Sequence, residues 1–247
     1  SLYGVFANSV QPEHLPLLET PDQTDAYRRY LTELKKHEDA YYGYMRERRD
    51  DLVEQLRTRV GDYLAQVIDD EEEPAAHIYL SYAKGEIRPP IVFRWHRFLK
   101  KMAATNHPVF APWTRLNELG EEEFETRARP NLAELVGRPT SEVNPIVLEA
   151  LLEKPPHSMQ DVARTYGKVL NEQYETYKNR SSNEGQEGQG LTDSTAAERE
   201  ILAILLDPDS PSAVTIEEAA HLIDRPFMDK IWVLRKAMQV FQVESKE

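Results

Sequence analysis

From Thr20 to Glu73 the chain contains one proline, Pro21, suited to the first turn of a helix, and no other until Pro74. Within that stretch Tyr27, Tyr30, Leu34, Tyr41, Tyr44, Leu52, Leu56, Val60, Tyr63 and Val67 recur at steps of three and four or their multiples, which places them on one stripe of an α-helix. The stripe is interrupted near His37 and Arg48, and the remaining faces are dense in Arg, Lys, Asp and Glu. A helix of this kind packs along one side and stays wet on the other, as in the arm of a helical hairpin. The expected fold class is therefore all-α: an elongated helical bundle or hairpin built on one very long helix plus several short helices.

The rest of the sequence supports that class, because few stretches alternate with the period of two that a half-buried strand requires. A helix is expected from Pro74 to Gly85. Arg88, Pro89 and Pro90 then read as a turn before a helix from about Ile91 to Asn106, whose core stripe is Val92, Trp95, Phe98, Leu99 and Met102. The apolar loop "HPVFAPW" carries two prolines and must dock on another element. Short helical turns follow at Thr114–Leu119, Glu121–Ala128 and Asn131–Val136, separated by Gly120, Pro130 and Gly137, and another runs from Asn144 to Pro155. Ser158 is the expected cap of a second long helix ending near Asn179, onto which the first long helix packs, with the final helix as a further candidate partner. "RSSNEGQEGQGLT" reads as a flexible linker, and Gly185–Gly190 as its most mobile part. Beyond it Ser194 is expected to cap an apolar helix, "DPDSPSAV" to turn, "TIEEAAHLI" to form a short helix, and Asp224 with Pro226 to open a last helix to about Val243.

Charge and composition narrow the function. With 43 acidic against 30 basic residues, the net charge of −13 repels phosphate backbones and anionic lipid headgroups, so nucleic acid is not an expected partner. No apolar run is long enough to form a transmembrane helix. The absence of Cys removes disulfides, thiolate catalysis, cysteine zinc clusters and covalent haem attachment.

Four constellations could carry chemistry. "RWHRFLKK" is the one basic and aromatic concentration; Arg94, Trp95, Arg97 and Lys101 are its candidate binding residues, for a sulfated or carboxylated glycan, a haem propionate or an acidic protein surface. The competing reading makes Trp95 a core residue and the bases a solvated face. Glu218 and His221, three apart, could share a metal, but the second such pair that a di-iron bundle needs is missing. Glu33 and His37 read as a surface pair. The acidic runs Asp69–Glu73 and Glu121–Glu125 lack the spacing of a calcium loop or of facing glycosidase carboxylates, and read as solvated helix ends. No catalytic residue is assigned, and no cofactor is expected in this segment.

Taken together and in order, "LYGVFANSVQP", "RWHRFLKK", "HPVFAPW", "DVARTYGKVLNE", "LDPDSPSAV" and "LIDRPFMDKIWVLRKAMQV" resemble the helical region between the two conserved domains of planctomycete and verrucomicrobial cytochrome-c-associated proteins, the PSCyt type. The resemblance implies an exported or periplasmic multidomain parent with haem carried elsewhere, and settings of surface electron transfer or polysaccharide breakdown. On that view residues 1–19, with Leu2, Tyr3, Val5 and Phe6, are the tail of a preceding domain, and the final "VESKE" adjoins a following one. Residues 20–180 form the long-helix hairpin with its short-helix insert, 181–192 the linker, and 193–247 a C-terminal helical segment on the same body. The expected function is a non-catalytic helical spacer and interaction module whose partners are the flanking domains. Two alternatives are a carbohydrate-binding or carbohydrate-processing module using Trp95, Arg94 and Arg97, and a helical metal-dependent enzyme with its metal at Glu218 and His221.

Overall fold

A computed structural model describes residues 24–69, 82–83, 85–184 and 194–245. Among the described residues there are ten α-helices, one 3-10 turn and no strand, so the chain is all-α. The helices are α1 (Asp25–Thr58), α2 (Val60–Asp69), α3 (Pro89–Ala104), α4 (Ala111–Asn117), α5 (Glu121–Ala133), α6 (Pro145–Glu153), α7 (Met159–Glu184), α8 (Ala196–Leu206), α9 (Ile216–Ala219) and α10 (Arg225–Glu244), with the 3-10 turn at Pro108–Phe110.

The single helix expected over Thr20 to Glu73 is two helices. α1 spans 34 residues, begins on Thr24, whose hydroxyl accepts from the Tyr27 amide, and ends at Arg59, where φ is −112° and ψ 22°. Beyond the break α2 packs along α7, the most extensive helix pairing among the described residues. Two glycines make that approach possible: a Cβ at Gly61 would lie 3.0 Å from the Gly167 Cα, and one at Gly167 would collide with the Gly61 backbone. Around this crossing Leu64, Val162, Ala163 and Tyr166 lose all solvent contact. Hydrophobic spacing alone does not register the break, because Leu56, Val60, Tyr63 and Leu64 keep helical steps across it.

The "HPVFAPW" loop docks on α7 through one tyrosine. The fully buried Tyr166 hydroxyl donates to the Val109 carbonyl at 2.7 Å and accepts from the Trp113 amide at 3.2 Å. Its ring stacks on Phe110 at 5.4 Å and meets the edge of Trp113 at 5.5 Å. Burial pushes the Tyr166 phenol far above its usual pKa, so it remains a neutral donor at any working pH.

Other boundaries follow local chemistry, with corrections. Pro89 and Pro90 are the first residues of α3 rather than a turn before it, a position where their missing amide hydrogens cost nothing. Pro130 lies inside one continuous helix, α5, instead of dividing two; Pro130 and Thr126, whose carbonyl loses its partner there, are both exposed. Asn144 caps α6 and the Ser158 hydroxyl accepts from Asp161, as expected. α7 runs to Glu184, past Asn179. Thr195 rather than Ser194 caps α8, in a reciprocal capping box with Glu198. The helix in "TIEEAAHLI" is short, ending at Ala219, and Asp224 caps α10. The expected helix from Pro74 lies mostly outside the described residues, although Tyr82, Ala83 and Gly85 are non-helical. The segment 1–19 and the stretch Gly185–Gly190, expected to be the most mobile part of the linker, also lie outside them.

α10 runs antiparallel to α1, with Phe227 stacked on Tyr44 at 5.7 Å and Phe241 on Tyr30 at 5.5 Å. Together they form a two-helix arm continuing from the body.

Candidate functional site

α3 sorts the residues of "RWHRFLKK" by helical angle. Trp95 points inward, fully buried and edge-on to Phe98 at 5.6 Å, so it offers no platform to a ligand. Arg94, Arg97 and Lys101, at steps of three and four, line one cleft, while His96 and Lys100 line another on the opposite flank. The first cleft has a volume of about 900 Å³. α1 adds Arg49 and Arg57 from across it, and the loop after α8 supplies Asp207, Pro208, Asp209 and Ser210.

Five cations therefore face three carboxylates, Asp207, Asp209 and Glu218. The local surplus is positive in a chain of net charge −13. The cations differ in how firmly they are held. Arg94 is structural: its guanidinium donates to the Ala213 carbonyl at 2.8 Å and to Glu218, fastening the loop and α9 to α3. Arg57 donates to the Leu205 carbonyl at 3.0 Å and the Tyr174 hydroxyl at 3.4 Å. Arg49 pairs with its neighbour Asp50. Lys101 approaches Asp209 only to 3.9 Å, with both side chains well exposed. Arg97 lies over the Phe93 ring at 5.2 Å and has no carboxylate within ion-pair distance among the described residues. Arg97 and the loosely paired Lys101 are thus the cations most open to an incoming anion.

Glu218 and His221 are separated by their surroundings. Glu218 is the third residue of α9 and closes a capping box, accepting from the Thr215 amide at 2.9 Å on one oxygen and from Arg94 on the other. Burial alone would raise its pKa, but the Thr215 amide and Arg94 outweigh that and hold it below the usual carboxylate range. His221 is exposed on the turn beyond the end of α9, and with both Glu218 oxygens already engaged the pair offers no two-ligand metal site. Among the described residues no group of three His, Asp or Glu side chains could hold a metal ion.

Sequence reasoning found Arg94, Arg97 and Lys101 but missed Arg49, Arg57 and the cleft wall. "DPDSPSAV" was legible only as a turn; its contact with α3 runs through the Ala213 carbonyl, a backbone group with no sequence signature. Comparison with protein-family models, curated proteins and solved structures finds no match to this chain. Among the described residues no helix is long and apolar enough to cross a membrane.

Proposed function

We propose that this chain is a non-catalytic helical spacer and interaction module within a larger exported, cytochrome-c-associated polypeptide, and that its recognition surface is the α3 cleft. The parentage rests on the sequence resemblance alone, with haem assigned to another part of the parent. The cleft takes an acidic group, a carboxylate or sulfate, from a flanking domain or a polysaccharide. One observation carries this reading: a positive surplus in a cleft of a strongly acidic chain, with Arg97 outside any ion pair among the described residues and Lys101 held only by a loose contact with Asp209. The buried Trp95 argues against a neutral-sugar platform, and the engaged Glu218 oxygens argue against the metal-enzyme alternative.

The test is calorimetric titration with oligogalacturonate and dextran sulfate, with neutral dextran as control. Binding to the anionic polymers that weakens with added salt and disappears in Arg97→Glu/Lys101→Glu, with thermal unfolding unchanged, is the expected result. Binding that survives the double substitution, or no binding at low salt, rejects the cleft as the recognition surface.

A further inference from the structure

α10 is apolar on two opposite faces. Phe227 and Ile231 are buried, and Phe241 stacks on Tyr30, all on the side toward α1. On the other side Asp229, Trp232, Val233, Lys236, Val240 and Val243 share one stripe by their helical spacing, and all six are exposed. Trp232 is 64% exposed, Val233 53%, Val240 42% and Val243 67%. A helix apolar on both sides belongs between two layers, and only one layer is present among the described residues. The charges of the outer stripe balance. Within about 60° of its centre Arg225 and Lys236 stand against Asp229 and Glu244, while Lys230 and Arg235 lie on the flanks, about 100° or more away. A neutral stripe on a chain of net charge −13 is poorly suited to an anionic lipid surface.

We infer that the missing layer is a second copy of this chain, its α10 lying antiparallel on the first about a twofold axis between Trp232 and Val233. The order of charge along the stripe selects this occupant and this direction. Asp229 precedes the midpoint of Trp232 and Val233 by as many residues as Lys236 follows it, about 5 Å along the helix on either side. A twofold rotation therefore sets Asp229 of each copy opposite Lys236 of the other, and packs the two Trp232 and two Val233 side chains together at the axis. A parallel copy in register would set Asp229 on Asp229 and Lys236 on Lys236. Within its own helix Asp229 is held only by Arg225 at 2.9 Å, both side chains being well exposed, so turning to the other copy costs little. Lys236 rests over the Trp232 ring at 5.1 Å, already beside the proposed axis. The seam is one helix of 20 residues, about 30 Å long, which belongs below about 1,200 Å² of buried surface. The dimer is accordingly weak and comes apart on dilution. No α10 residue lines the α3 cleft, so a dimer presents two such clefts, and failure of the dimer leaves the reading of the cleft untouched.

Sedimentation equilibrium of the full chain from micromolar to near-millimolar concentration tests the inference, with circular dichroism confirming that each variant is folded. The expected result is a reversible monomer–dimer equilibrium that Trp232→Ser abolishes. Asp229→Lys and Lys236→Asp should each weaken association about tenfold, because each turns both cross-pairs into like charges. An equimolar mixture of these two variants should associate at least as well as the unaltered chain, since both pairs are restored between unlike copies. The double variant Asp229→Lys/Lys236→Asp should recover in the same way. Three results overturn the inference: a monomer at every concentration, association that Trp232→Ser leaves intact, or single charge variants whose mixture associates no better than either alone.

Discussion

The long outer part of α1 and its last two turns live in different environments. From Asp25 to Asp51 no side chain is buried, and the helix is held by Phe241 and Phe227 of α10 against Tyr30, His37 and Tyr44, with surface ion pairs such as Arg28 to Asp25. From Leu52 onward Leu52, Val53 and Leu56 join the common core. The body is stabilised by removing apolar area from water at every turn, whereas the arm buries Phe227 and Ile231 with Tyr41, Tyr44 and Met45 packed partly against the same core, and beyond them relies on ring contacts and exposed ion pairs that contribute little. Order in the arm is thus borrowed from the body through helix continuity, since an isolated helix pair of this composition is marginal. Arm and body should differ in protection from hydrogen exchange.

The comparison breaks most readily at the body. Trp95→Ala removes a fully buried indole and should destabilise the chain by roughly 3–5 kcal/mol in denaturant unfolding. A loss near zero would mean that α3 is not part of the main core. Gly167→Ala forces the α2–α7 crossing apart, for about 1–3 kcal/mol. The same substitution at Gly43, with nothing within 4 Å of an added Cβ, should be neutral or slightly stabilising, and equal effects at the two sites would discredit the crossing.

Phe241→Ala sharpens the contrast. It deletes two ring contacts, worth about 0.5–1.5 kcal/mol each beyond area. Hydrogen exchange should accelerate in α10 and the first five turns of α1 while α7 stays protected. Acceleration spread evenly over both regions would show that arm and body open as one unit.

The smallest effect is electrostatic and lies where arm meets body. Glu54 of α1 accepts from the Tyr174 hydroxyl and from Lys178 of α7, each at 2.6 Å. Burial is the largest single influence and raises its pKa, but hydrogen bonds from Lys178 and Tyr174, with Arg57 nearby, together bring it below the usual carboxylate value. The unfolded chain therefore takes up that proton first as pH falls. The contribution of Glu54 is complete above the ordinary carboxylate range and disappears as pH falls through its depressed native pKa. Glu54→Gln should flatten this part of the stability profile between neutral and acid pH; an unaltered profile would remove Glu54 from the joint.

Much of this was legible because it is local. The α3 core stripe, the caps at Asn144, Ser158 and Asp224, and the need of "HPVFAPW" for a docking partner follow from residue type and spacing within a few positions. The Pro130 boundary failed because an exposed proline late in a helix is tolerated where tertiary packing holds Phe124, Ala128 and Leu132 on one buried face. The binding candidates were half legible: helical steps grouped Arg94, Arg97 and Lys101, but no spacing rule brings Arg49 and Arg57 of α1 to the same cleft.

By itself the sequence determined that the chain is helical, which face of each helix is apolar, and that it cannot attach haem through cysteine, since these depend on side-chain identity and the 3.6-residue repeat. Tertiary structure alone decided the break at Arg59, the partner of Gly61, the commitment of Glu218 to Thr215 and Arg94, and the division of one helix between body and arm. Each of these depends on groups far apart in the chain, and no local periodicity records which distant surface a helix will meet.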